Sequence, residues 1–372
     1  MSATIKPNTR MLSIDVMRGF TLALMIIVNM SLSEELAYRQ LLHSAWHGFT
    51  LTDWVFPTFL FVVGASLGLT VDKFIGLSNT QTVTKILRRG LLIFVCGFVV
   101  SNFPFFRIID GTIVPIQIAD LRILGVLQRI GICYSIAAII VHYWKIRGAI
   151  IYVPTALLAY WWIMASFGDL TIEGNAALKI DATMLGASHL YKGEGIPFDP
   201  EGILGTLPSV VNVLAGFMAT WFLRLGPIDL RQVGKLIVAG AAMIALALVW
   251  HNWFPINKKI WTSSYVLLTV GIDLIVLSAL VYIIEIKGNK FGTYYFEVLG
   301  KNTLAIYILA ELAMGVFWTI PMGDASLMNW IYDVGFAPIG GKLSGLIYAI
   351  AFMQTCWFIA FLMDKRKIYI RL

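Results

Sequence analysis

His43 and His47 stand four residues apart, and Asp53 follows His43 by ten. Two imidazoles at i and i+4 face the same way if the segment is helical, and Asp53 would then complete a three-ligand metal site. The spacing matches no established zinc pattern, and no metal is expected. The other reading is a single neutral histidine, His43, acting as general base on an amine or hydroxyl near neutral pH. Asp53 then either orients that imidazole or caps the helix that begins beside it.

Further polar residues fall inside apolar stretches, where ionisable groups are costly and face a cavity, a partner or a substrate. Asp15 and Arg18 are three apart on one helix face, either as an interfacial ion pair or as the holder of an anionic ligand. Asn29 lies fourteen residues beyond Asp15, where its amide can orient a neighbour or cap a turn. Arg129 follows Arg122 by seven residues, sits beside Gln128 and needs a partner. Asp273 and Glu311 are the available acids, as ion-pair partners or as parts of a proton path. His142, His189 and His251 are assigned no chemistry.

The elements that must carry these residues are transmembrane helices. Of 372 residues 59% are hydrophobic and only 13% charged, about half the charge of a soluble domain. The apolar runs are continuous and about 20 residues long, which selects helices over an alternating β-barrel pattern. Ten spans are expected, at about 13–32, 52–72, 86–103, 121–142, 148–167, 203–223, 234–252, 262–285, 296–319 and 343–363. The expected fold is an all-α polytopic bundle forming one domain over 1–372, with a long outer loop at 168–202. That loop is rich in acids, which suits an amino-bearing acceptor or an ordinary solvated loop. The first apolar run carries Asp15 and Arg18, so it reads as a retained helix and not a cleaved leader.

Basic residues orient the chain. Lys6, Arg10, Lys73, Lys85, Arg88, Arg89, Lys145, Arg147, Arg224, Arg231, Lys235, Lys287, Lys290, Lys365, Arg366, Lys367 and Arg371 all fall on one side, taken as cytoplasmic together with both termini. The net charge of +7 is not gathered in one soluble region, which excludes a nucleic-acid partner. Cys96, Cys133 and Cys356 lie within apolar runs and read as buried hydrophobes. No internal repeat of the kind that builds many transporters is evident.

Three stretches resemble the heparan-α-glucosaminide N-acetyltransferase family, including its shorter bacterial relatives. The first is RMLSIDVMRG from Arg10 to Gly19, continuing to Asn29, then LHSAWHGFTLTDWVFP from Leu42 to Pro57 and FVVG from Phe61 to Gly64. The second is RILGVLQRIG from Arg122 to Gly131. The third runs from Asp199, Glu201 and Gly205 through NKKIWTSSY at Asn257–Tyr265 to Gly300, Lys301 and Asn302. His47 departs from the pattern, which carries Asn after the Trp, and Asp273 has no counterpart.

The resemblance implies an acetyltransferase that moves an acetyl group from cytoplasmic acetyl-CoA to the amine of a glucosamine-type sugar across the membrane. It places the active-site histidine on His43, the asparagine near the end of the first family helix on Asn29 and the Asp…Arg-Gly pair on Asp15 and Arg18; Asp53 joins the catalytic candidates from its spacing to His43. Asp15, Arg18, Arg88, Arg89, Gln128, Arg129, Lys301 and Asn302 are the candidates for holding acetyl-CoA. Trp46, His47, Glu201, Asn257, Lys258 and Trp261 are those for the sugar, the tryptophans by stacking. His43 acts as general base or as acetyl carrier, and Asn29 or a backbone N–H stabilises the oxyanion. The donor's pantetheine arm is expected to run through a continuous passage in the bundle. Without the long luminal extension of the animal enzymes, the chain is expected in a bacterial inner membrane, in contact with lipid; a homodimer is compatible with the resemblance. From the residues alone, the competing reading is a proton-coupled transporter of a small polar solute built on Arg129, Asp273 and Glu311.

Overall fold

The computed structural model describes residues 10–109 and 112–370; Lys6 and Arg371, two of the orienting cations, lie outside the described residues. The helices are α1 (Leu12–Asn29), α2 (Leu51–Thr70), α3 (Asn79–Asn102), α4 (Val126–Phe167), α5 (Ala176–Leu185), α6 (Thr206–Leu223), α7 (Leu230–Trp250), α8 (Ser263–Leu280), α9 (Thr293–Lys301), α10 (Thr303–Thr319), α11 (Leu327–Gly335) and α12 (Gly341–Lys365). A short hairpin, β1 (Phe106–Ile109) with β2 (Thr112–Pro115), follows α3.

Among the described residues seven helices are long and apolar enough to cross a bilayer, and α9 with α10 makes an eighth if counted as one bent span. The all-α polytopic membrane fold is as expected. The 42-residue α4 contains two of the expected spans. Lys145, at φ 53° and ψ −145°, breaks the helical path between them. α3 carries Lys85, Arg88 and Arg89 in its first half, which lowers its apolarity below that of the other spans.

Two boundaries differ from expectation. Residues 121–125 are extended, and α4 begins only at Val126. The Asn102 side chain fixes that stretch, donating from Nδ2 to the Arg122 carbonyl at 2.9 Å and accepting from Arg122 N at 2.8 Å. Arg122 therefore does not share a helix face with Arg129. The span expected at 296–319 is bent by 79° at Asn302, and such breaks in membrane helices occur where backbone lines a cavity or is held by protein.

α1, α2, α6 and α8 form the inner part of the bundle, while the second half of α4, α7 and α12 present large apolar side chains outward, as bilayer contact requires. Small residues set the inner spacing. A Cβ at Gly19 would lie 1.8 Å from the Phe296 carbonyl oxygen, and one at Gly300 would lie 2.3 Å from that of Asp15. The α1–α9 crossing is thus closed to any larger residue at either position. It sets Asp15, Arg18 and Lys301 around one opening.

The 168–202 segment is folded. α5 and Phe198 pack with Tyr160, Met164, Phe254 and Ile260 in a separate apolar cluster. Trp46 Nε1 donates to the Leu170 carbonyl at 2.7 Å, tying this cap to the histidine segment.

Candidate active site

α2 starts with a reciprocal cap whose acid does two jobs. Thr50 is the N-cap; Asp53, three residues on, accepts from Thr50 N at 3.0 Å while its own N–H donates to Thr50 Oγ1. Asp53 Oδ2 also accepts from Ser44 N at 3.1 Å, and Oδ1 lies 2.7 Å from His43 Nδ1. The two readings of Asp53 hold together, with Thr50 and not Asp53 in the N-cap position. Because one carboxylate oxygen is anchored by backbone, the other is a fixed acceptor. It holds the His43 tautomer with Nδ1 protonated and leaves Nε2 as the basic nitrogen.

His43 lines a cavity of about 490 Å³ with Asn29, Leu42, Thr52, Phe103 and Glu311. Burial and then the nearby Lys258 charge hold the imidazole below its ordinary value of 6.5, against the raising effect of Asp53. His43 is therefore neutral, and competent as a base, at neutral pH. Asn29 Nδ2 donates to Glu311 Oε1 at 2.8 Å, and Glu311 also accepts from the Tyr307 hydroxyl.

Lys258 belongs to a second layer. Its Nζ is 3.6 Å from Glu201. Arg122 donates to Asp199 at 2.9 and 2.7 Å and to Glu201 at 2.7 Å, with its guanidinium 4.7 Å over the Tyr191 ring. Burial alone would raise the Glu201 carboxyl, but Lys258 and Arg122 outweigh it and bring it to about 2. Glu201 is thus a permanent anion that fixes Lys258 beside His43, and its carboxylate is taken up by these cations.

Other expected acceptor-site residues are placed differently. Trp261 is wholly buried, with Nε1 donating to Asn212 Oδ1 at 3.2 Å, so its ring is not open to stack on a sugar. The Asn257 side chain, also buried, accepts from Ile260 N at 3.1 Å and shapes the turn in which Trp261 takes φ 51°. Asn257 Nδ2 meets His47 Nδ1 at 3.3 Å, so that ring nitrogen is taken up by Asn257. His43, His47 and Asp53 therefore do not converge as a three-ligand set, and among the described residues no cluster of three His, Cys, Asp or Glu does so. Trp46 is half-buried, edge-on to Phe198.

At the other end of α1 lies a second cavity of about 600 Å³. Arg10, Asp15, Arg18, Lys73, Arg89, Tyr134, Lys301, Tyr307 and the tail residues Tyr369 and Ile370 line it. Arg10 and Arg18 are engaged by Asp15 at 2.6 and 3.1 Å, and Lys301 by Asp364 at 3.0 Å. Arg89 lies 4.8 Å over the Tyr134 ring instead. Among the described residues, Lys73 and Arg89 have no carboxylate partner, so they offer net positive charge to an anion.

Several residues expected at the donor site do not line this cavity. Arg88 is exposed and does not line the cavity. Gln128 is buried away from it, 3.3 Å from Ser101 Oγ. Asn302 is turned to the tail, donating to the Ile368 carbonyl at 2.9 Å and accepting from Ile370 N at 3.0 Å. Arg129 pairs with neither Asp273 nor Glu311. It donates to the Gly202 carbonyl at 2.8 Å and lies 4.9 Å over the Trp261 ring. Asp273 accepts from Trp54 Nε1 and Thr58 Oγ1, both at 2.8 Å. The three residues of the transporter reading are held in three separate places.

Lys73, Arg10 and Tyr307 also line this second cavity, although the sequence does not single them out for a site. Tyr307 and Glu311 are an i, i+4 polar pair within an apolar run, a signal that was present.

The molecule is thus a polytopic helical membrane protein with a basic cavity at one end and a histidine–aspartate pair in a cavity at the other. Residues 10–184, which include the first two motifs, match the family model described as heparan-alpha-glucosaminide N-acetyltransferase, catalytic. The chain is 29% identical to the Mus musculus heparan-alpha-glucosaminide N-acetyltransferase, over 85% of this chain and 56% of the relative. It is 28% identical to the Homo sapiens protein of that name, over 83% and 54%. These matches agree with the likeness that the motifs imply: the chain is similar to the heparan-α-glucosaminide N-acetyltransferases. It spans about half the length of the curated relatives it matches.

Proposed function

We propose that the chain is a transmembrane acetyltransferase, taking acetyl from acetyl-CoA in the basic cavity and delivering it to the amine of a glucosamine-type sugar at His43. The observation that carries this reading is the His43–Asp53 pair, at 2.7 Å, in a cavity at the opposite end of α1 from the cationic one. Asp15 and Asn29 mark the two ends, ~20 Å apart at 1.5 Å per residue. A donor that is a nucleotide phosphate at one end and a thioester at the other, joined by a long flexible arm, suits such a pair of sites.

In this reading Lys73 and Arg89 take the phosphates, and Arg18 contributes through its neutralised network. His43 Nε2 removes a proton as the amine attacks the thioester carbonyl. The Asn29 amide stabilises the oxyanion, a donor worth roughly 3 kcal/mol when well placed. The carbon–sulfur bond then breaks and CoA leaves as the thiol. An acetyl-His43 intermediate uses the same atoms. The basic end faces the cytoplasm, and the chain resides in a bacterial inner membrane.

Purified protein supplied with labelled acetyl-CoA and glucosamine tests this reading. Labelled N-acetylglucosamine is expected from the wild type. Wild-type yield from His43→Ala would overturn the assignment of His43.

A further inference from the structure

The two cavities share no lining residue. Hydrogen-bonded polar side chains link their walls. On α10, Tyr307 faces the basic cavity and Glu311, one turn further, faces the His43 cavity, a rise of ~6 Å. Glu311 accepts from Tyr307 and, at 2.8 Å, from Asn29 Nδ2, so one carboxylate ties α10 to the end of α1 across this boundary. Tyr307 is buried; Asn29 is open to the His43 cavity. An acid inside an apolar span is costly unless its position serves a purpose. Neither Tyr307 nor Glu311 has a role in the base or phosphate chemistry described above.

Resting on the proposed acetyltransferase reading, the geometry points to Tyr307, Glu311 and Asn29 as a hydrogen-bonded partition that keeps water in the His43 cavity from the donor thioester. A thioester brought to a general base in contact with water is open to hydrolysis. The water oxygen bonds to the carbonyl carbon, the carbon–sulfur bond breaks, His43 takes the water proton, and acetate and CoA thiol are released. Excluding water from reactive groups is a recognised duty of a closed site. Here the exclusion falls to three side chains whose bonds must part for the acetyl group to pass. Glu311 is then a positioning residue, acting through Asn29 and Tyr307.

The test is acceptor-independent release of CoA thiol by the full chain in liposomes with acetyl-CoA alone. Glu311→Ala is expected to raise this release at least about fivefold over wild type, and Tyr307→Phe by less. Adding His43→Ala should abolish the rise, because the leaked water relies on the same base. Donor binding, read as thermal stabilisation by acetyl-CoA, should persist in Glu311→Ala. A general folding defect would lower binding and release together. Wild-type release from a Glu311→Ala protein that still binds acetyl-CoA overturns the partition. If that variant does not fold, Tyr307→Phe, which removes one hydroxyl, decides in the same way. Failure of the wild type to bind acetyl-CoA or transfer acetyl would instead defeat the acetyltransferase reading.

Discussion

An imidazole whose Nδ1 is tied to Asp53 presents only Nε2 to a substrate, so the chemistry of His43 reduces to one nitrogen and its proton affinity. His43→Ala should lower transfer by roughly 10²–10⁴-fold, the usual contribution of a positioned base. The pH dependence has a definite sign. Burial and Lys258 hold His43 below 6.5, so the neutral base persists below that pH, and the acid limb of the rate profile should lie under 6.5. Lys258→Ala removes a lowering charge and should move that limb upward; a limb that stays or falls would show that Lys258 does not act on His43. The basic cavity gives a second contrast at this scale. Arg89→Ala should raise the KM for acetyl-CoA by about tenfold, the worth of one charge-assisted contact, with little change in kcat. Arg88→Ala should change neither, although the two arginines are adjacent in sequence. Steady-state kinetics with both variants reads this directly.

Helix ends and crossings decide which of these side chains meet, and here the sequence was legible only in part. Asp53 following Thr50 by three residues is a local pattern, and His43 ten residues upstream was within its reach. The placement of Arg129 was not local. A helix from 121 would put Arg122 and Arg129 on one face, with partners expected in other spans. Asn102 instead holds residues 121–125 extended, and the acids that meet Arg122 come from the outer loop, as Asp199 and Glu201. Trp261 misled for a related reason. A tryptophan near a membrane interface suits a sugar, but the turn built by Asn257 folds this one inward. Arg122→Ala would leave Asp199 buried without its cation and Glu201 with Lys258 alone, and should cost roughly 3 kcal/mol, read as a lower unfolding temperature in detergent. Arg122→Lys should restore only part of that, since an ammonium lacks the two-pronged fit to Asp199. At the α1–α9 crossing, Gly19→Val should separate the helices, because its Cβ would overlap the Phe296 carbonyl. Loss of acetyl-CoA stabilisation is the expected readout, and retained stabilisation would show that the crossing can open without cost to the donor cavity.

For the whole molecule, composition and the distribution of Lys and Arg already implied a helical membrane bundle with a basic end. The residues lining the basic cavity come from α1, α2, α3, α4, α9, α10 and the C-terminal tail. No periodicity in one sequence announces such a convergence of distant segments. Where an open passage is expected, the structure has two cavities that share no lining residue, with Tyr307 on one and Glu311 and Asn29 on the other, joined by hydrogen bonds between helices far apart in sequence. In the proposed reading, donor and acceptor are used from opposite faces of the bilayer. It is tested most directly in sealed liposomes containing chains of one orientation. Acetyl-CoA is confined to the side of Arg18 and Arg89, and glucosamine to the side of His43. Acetylated sugar accumulating on the His43 side, and none with His43→Ala, is the expected result. Acetylated sugar formed only when both substrates share one side would contradict it.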